Sequence, residues 1–139
     1  MSASLSLTVK TARDELERIT AAIDNLAEED DWPADLLFRV QLVLEELALN
    51  IVDYGHDDDT SDFEIAFMSE GDSLTIEIVD GGRAFDPLND APEPDLTSGV
   101  AERRVGGLGV HFVRTLMDDV QYERSAGKNR LKMVTRKVR

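Results

Sequence analysis

The chain has 139 residues, no cysteine, and 29 acidic against 15 basic side chains, for a net charge of −14 at pH 7. That length suits one domain with a real core, and a hydrophobic content of 42% with 32% charged residues fits a soluble globular protein. The charge repels nucleic-acid phosphates and argues against direct DNA or RNA binding, while the missing cysteines exclude disulfides, thiolate catalysis and Cys-based zinc sites. His56 and His111 are the only histidines, too few for a histidine-rich metal site. The first ten residues, MSASLSLTVK, lack the apolar run of a signal peptide. No stretch approaches the ~20 apolar residues of a membrane span. The expectation is a cytoplasmic protein with no membrane association.

Leu5, Leu7 and Val9 alternate with Ser and Thr and predict a first strand. Thr11 is placed to cap the helix that follows, whose apolar stripe is Leu16, Ile19, Ile23 and Leu26. The acidic run Glu28 to Asp31 ends it, and Trp32-Pro33 makes a hinge. A second helix is predicted from about Pro33 to Tyr54, with Gly55 as its stop. His56 to Asp59 is an acidic loop, read as a solvated turn or a weak cation site. Phe63, Ile65 and Phe67, then Leu74, Ile76 and Ile78, alternate as two strands joined by a turn at Glu70-Gly71-Asp72. From Gly81 to about residue 105 prolines and acidic residues argue against regular structure, and a loop of that length inside one domain reads as a lid or binding loop. Gly106 to Gly109 opens a third helix carried by Val110, Val113, Leu116 and Met117. Val120 and Tyr122 start a strand, Gly127-Lys128-Asn129 turns it, and Leu131, Met133, Val134 and Val138 carry the last one. This order predicts a two-layer α/β sandwich, with a mixed, mostly antiparallel sheet and the helices on one face.

Three stretches hold candidate chemistry. Glu46 and Asn50 are one helical turn apart, beside the buried face made by Val43, Leu44, Leu47 and Ile51. A carboxylate can handle a proton while a neutral oxygen one turn on holds a hard cation; the plainer reading is a core helix with a polar edge. Asp80 ends a strand just before Gly81 and Gly82, so its carboxylate could accept from an exocyclic amine such as adenine N6, or simply close an Asp-Gly-Gly turn. Gly106, Gly107 and Gly109 lie at a helix start, where unpaired N–H groups and the helix dipole favour phosphate; the alternative is a flexible loop entering a helix. No Gly-Lys-Ser/Thr follows, so this is not a P-loop, and no tight strand-to-helix turn precedes it, so it is not a Rossmann fingerprint.

In order, ELALN (Glu46 to Asn50), DGGRAFDP (Asp80 to Pro87), GGLGVHFV (Gly106 to Val113) and GKNRLKM (Gly127 to Met133) resemble the N box and glycine boxes of the GHKL ATPase superfamily. The small size, the early strand and helix, and EELALNIVDYGH resemble the RsbW-type anti-sigma factors, which are serine-protein kinases. The resemblance runs from about Leu5 to Val138 and implies a Bergerat fold that binds ATP and Mg²⁺. By that resemblance Glu46 matches the general base and Asn50 the magnesium ligand. Asp80 matches the adenine-binding aspartate, with Gly82 beside it. Gly106, Gly107, Leu108 and Gly109 match the hinge of the ATP lid, with Arg103 and Arg104 before it. Asn129 stands where a threonine often assists adenine binding, and Tyr54 where many members carry histidine.

The implied activity is phosphorylation of a serine on an anti-anti-sigma STAS-domain protein, with a sigma factor as second partner and a homodimer as the working form. Two other readings remain at this point: an ATP-binding interaction module without catalysis, and a nucleotide-free interaction domain. An intact Glu46 beside Asn50 favours the kinase, since a pure binder has no need of a base.

Overall fold

Alternation along the strands and the apolar stripes of two helices build one shared core. The computed structural model describes residues 2–10, 13–54, 62–81, 113 and 115–138, with the main chain alone for residues 2, 13 and 50–54. Strands β1 (Ser2–Lys10), β2 (Asp62–Glu70), β3 (Ser73–Asp80), β4 (Asp119–Ser125) and β5 (Lys128–Arg136) form one sheet in the order β1-β2-β3-β5-β4. Every described pairing is antiparallel, so the sheet is simpler than the mixed one expected. β5 inserts between β3 and β4, which puts the far end of the chain beside the strand that ends at Asp80.

The inward residues of the two central hairpin strands are Phe63, Ile65 and Phe67 on β2 and Leu74, Ile76 and Ile78 on β3, all buried. Helix α1 (Leu16–Glu29) adds Ile19, Ile23, Leu26 and Ala27 to the same cluster. Helix α2 (Ala34–Tyr54) adds Leu36, Val40, Val43, Leu44, Leu47 and Ala48. The outward residues of β2, Asp62, Glu64, Ala66, Met68 and Glu70, are exposed, so the described helices cover one face only, as expected. Of the third helix, Val113 and Thr115 to Met117 are described. The Met117 N–H donates to the Val113 carbonyl at 3.1 Å, and both residues are buried in the same core.

Turn chemistry fixes the registers. Gly71, at φ 59, is the first residue of the two-residue β2–β3 turn. The β4–β5 turn is Ala126-Gly127, with φ of 52 and 76, the two successive left-handed residues that a type I′ hairpin requires. The expected turn at Gly127 to Asn129 therefore sits one step early: Lys128 already pairs with Ser125, and Asn129 lies within β5. Thr11, the expected cap of α1, lies outside the described residues. A short 3₁₀ turn, Arg13–Glu15, leads into the helix, and the N-cap position Glu15 makes no side-chain capping bond.

α1 ends in a Schellman arrangement. Asp31 is left-handed at φ 54, and the Trp32 N–H reaches back to the Ala27 carbonyl at 2.9 Å. This turn carries Asp30 inward, where Oδ2 accepts from Trp32 Nε1 at 2.8 Å and Ser69 Oγ at 2.5 Å and pairs with Lys137 Nζ at 3.1 Å. Burial pushes the Asp30 carboxyl upward, but the bonds from Ser69, Trp32 and Lys137 and the charge of Lys137 together outweigh it and hold Asp30 below the usual carboxylate range. Nearby, the buried Arg39 guanidinium donates to Asp35 at 2.9 Å, to Thr135 Oγ1 at 2.7 Å and to the Arg136 carbonyl at 3.3 Å. Both helices are thus pinned by charged groups to the end of the sheet where β2 finishes and β5 leaves.

Candidate functional site

The opposite end of the inner face is polar for a different reason. Along β3 the inward positions are Leu74, Ile76, Ile78 and then Asp80, so the carboxylate occupies the next core position of the strand. An aspartate that merely closed a turn would face solvent; Asp80 is only 8% exposed. Burying a carboxylate costs several kcal/mol unless it is hydrogen-bonded, by a rough estimate. The bond comes from the adjacent strand, where Asn129, 4% exposed, lies opposite Asp80 and donates Nδ2 to Oδ1 at 3.0 Å. Across β5 the same row continues to Arg124, whose Nη1 donates to Asn129 Oδ1 at 3.2 Å. Tyr122, two residues earlier on β4, donates its hydroxyl to that same oxygen.

The row across the sheet therefore reads Val9, Phe63, Asp80, Asn129, Arg124, changing from apolar at the β1 edge to polar at β4. Gly81 follows Asp80 and is exposed. A side chain built there would meet nothing within 4 Å among the described residues, and its φ is not left-handed. Neither packing nor backbone conformation among the described residues thus asks for glycine. Glycine at this position adds no side chain beside the buried carboxylate of Asp80.

Glu46 lies on α2 between residues that face the core, half-buried itself, with its Oε2 shielded from solvent. Asn50 is four residues on in the same helix, a rise of about 6 Å. Gly82, Gly106, Gly107, Leu108 and Gly109 lie outside the described residues, as do Arg103, Arg104, the acidic loop from His56 to Asp59 and, apart from Gly81, the expected lid. Of the sequence-derived candidates, the structure brings together Asp80 and Asn129, which are 49 residues apart in the chain. Tyr122 and Arg124 were not anticipated there. Their i, i+2 spacing on β4 was the available signal, hidden by placing the hairpin turn across Asn129.

The sequence pattern of the histidine kinase-like ATPase domain matches residues 4–135. The chain belongs to that family. Among curated relatives, it is 29% identical over 135 residues to the serine/threonine-protein kinase BtrW of Bordetella bronchiseptica, covering 94% of this chain and 89% of that one. It is 29% identical over 113 residues to the serine-protein kinase RsbW of Bacillus cereus, covering 79% and 69% respectively. It is 25% identical over 99 residues to an anti-sigma F factor of Thermoanaerobacter, covering 71% and 68%. Among solved structures, the RsbU and RsbW domains of a Mycobacterium tuberculosis protein superpose with a TM-score of 0.70 at 14% identity, over 96% of this chain. The match spans 32% of that longer chain. A blue-light activated histidine kinase from Erythrobacter litoralis gives a TM-score of 0.57 at 18% identity over 88% of this chain. These structural likenesses concern the fold, and the α/β sandwich is that of the GHKL kinases. No helix among the described residues is long and apolar enough to cross a membrane.

Proposed function

We propose that this protein is an ATP-dependent serine-protein kinase that also acts as an anti-sigma factor, working in the cytoplasm as a homodimer. The observation that carries the reading is the Asp80–Asn129 pair: a buried carboxylate, held by the neighbouring strand and bordered by the open backbone at Gly81. That arrangement suits the 6-amino group of adenine, from which a carboxylate can accept; at the same position guanine presents a carbonyl, which a carboxylate cannot bond. The family match and the relatives named as serine-protein kinases and anti-sigma F factor support the activity.

Bound Mg-ATP would supply the phosphoryl group. Asn50 would give Mg²⁺ a neutral oxygen, in keeping with that ion's preference for few protein ligands beside phosphates and water. Gly82 would border the base, and Gly106, Gly107, Leu108 and Gly109 would line the phosphates with backbone N–H groups. Glu46 would take the proton of a serine hydroxyl on an anti-anti-sigma STAS-domain protein as that oxygen bonds to the γ-phosphorus and the bond to ADP breaks. The sigma factor is the alternative occupant of the partner surface. The net charge of −14 favours partners with basic patches and leaves no role for direct nucleic-acid contact.

The deciding experiment is phosphate transfer from labelled Mg-ATP to a purified STAS-domain partner. Glu46→Gln should lower the rate by about 10²–10⁴-fold while nucleotide affinity stays nearly constant. Transfer at the native rate in that variant would remove Glu46 from the reaction. Nucleotide binding with no transfer to any partner would leave an ATP-dependent interaction module.

A further inference from the structure

Asn129 has two chemically different ends, and each meets a partner that can play only one part. Its Nδ2 faces Asp80 Oδ1 at 3.0 Å, and its Oδ1 faces the Arg124 guanidinium at 3.2 Å and the Tyr122 hydroxyl. A guanidinium offers donors and no acceptor, while a carboxylate offers acceptors. Flipping the amide would set NH₂ against guanidinium and C=O against carboxylate, losing both contacts. The orientation of Asn129 is therefore dictated by its neighbours.

We infer that Tyr122 and Arg124 are positioning residues for base selection, acting through Asn129 to hold Asp80 as a hydrogen-bond acceptor. The inference rests on Asp80 being the base-binding carboxylate. Adenine presents an amine at its 6 position and guanine a carbonyl. With Oδ1 accepting from Asn129, the Asp80 carboxylate is presented as an acceptor to the 6-amino group of adenine and opposes the carbonyl that guanine would place there. A site that leaves a polar group opposed by its like rejects the wrong ligand far more strongly than an apolar pocket does. If Asn129 were not anchored from β4, its amide could rotate, present its own oxygen to the base site and relax that discrimination.

The test uses the full chain and titrates Mg-ATP and Mg-GTP into the native protein, Tyr122→Phe, Arg124→Met, the double variant, and each of these combined with Asp80→Asn. Phenylalanine keeps the ring that packs against the core and removes only the hydroxyl. Melting of the nucleotide-free proteins checks that the fold is intact. The double variant should lose about tenfold in ATP affinity, the scale of one or two hydrogen bonds, with GTP affinity unchanged. In the Asp80→Asn background the same changes should be silent, because coupled residues are not additive. Unchanged ATP affinity in the double variant would overturn the inference. So would equal losses for ATP and GTP, or a loss that persists beside Asp80→Asn, since either places Arg124 at the phosphates. If the native chain shows no adenine preference, or Asp80→Asn binds ATP as tightly as the native chain, the base-site reading itself fails and the inference falls with it.

Discussion

At one end of the inner sheet face Asp30 meets Lys137, Ser69 and Trp32; at the other Asp80 meets Asn129. The two carboxylates are of one type and both are withdrawn from water, with the Asp30 side chain 5% exposed. Ser69 and Phe63 mark the two ends along β2, six residues or about 20 Å apart. Asp30 is enclosed by three donors on a single oxygen, one of them an ammonium, and it joins α1, β2 and the segment after β5. Among the described residues Asp80 accepts from a neutral amide whose own orientation is set from the next strand, and Gly81 follows it. A buried acid fastened by a cation spends its hydrogen-bonding capacity on the fold. A buried acid that accepts from the amide of the next strand lies where the proposed base would reach it.

The sharpest way to break this contrast is to delete each acid in turn. Asp30→Ala leaves Lys137 largely buried without its counter-charge and should cost about 3 kcal/mol of stability, read from denaturant midpoints, with nucleotide affinity preserved. Asp80→Asn should do the reverse. Its amide can still pair with Asn129, so unfolding should shift by less than about 1 kcal/mol, while ATP affinity falls by about 10- to 100-fold. Equal effects of both substitutions on both readouts would erase the distinction between the two ends.

A subtler test uses protons. The folded state lowers the Asp30 pKa below its ordinary value of 3.8. Its contribution is then fully present at pH above the unfolded value and is lost as pH falls through the folded one. The stability gap between the native chain and Asp30→Asn should be flat near neutrality and close only on acidification below that ordinary value. A gap that closed on raising the pH instead would contradict the assigned direction. The smallest expected effect is at Gly81. Gly81→Ala should change unfolding by no more than about 0.5 kcal/mol, since the added methyl meets nothing among the described residues, yet weaken nucleotide binding by crowding the base. Unaltered binding would mean that the ligand does not approach that backbone.

The elements that repeat were legible. Period two in Phe63 to Phe67 and in Leu74 to Ile78, and the helical stripes of α1 and α2, announce themselves locally. Extending the β3 alternation by one step already places Asp80 inward, so half of the polar pair could be read from the chain. The other half was obscured by Ala126. An alanine in a left-handed turn position carries no sequence signal, and the usual turn composition of Gly-Lys-Asn drew the reading one step along the chain. The helix anchors were equally hidden. Arg39 finds Thr135 at a separation of 96 residues, and Asp30 looks like any other member of an acidic run until the Schellman turn carries it inward. Long-range charge pairing leaves no periodic trace, whereas burial of an apolar face does.

The Asp80–Asn129 pairing also bears on how the chain acquires its shape. The β2–β3 and β4–β5 hairpins close over two-residue turns, but β3 and β5 meet only after the whole stretch from residue 81 to residue 128 has been looped out. Closing a loop of that size costs more entropy than closing a tight turn, so this pairing is expected among the later steps of folding. A ligand that grips Asp80 therefore recognises only chains in which the two hairpins have already docked. Nucleotide bound at Asp80 would act as a selective trap for fully assembled molecules, drawing the partly folded pool toward the native state without touching the early steps.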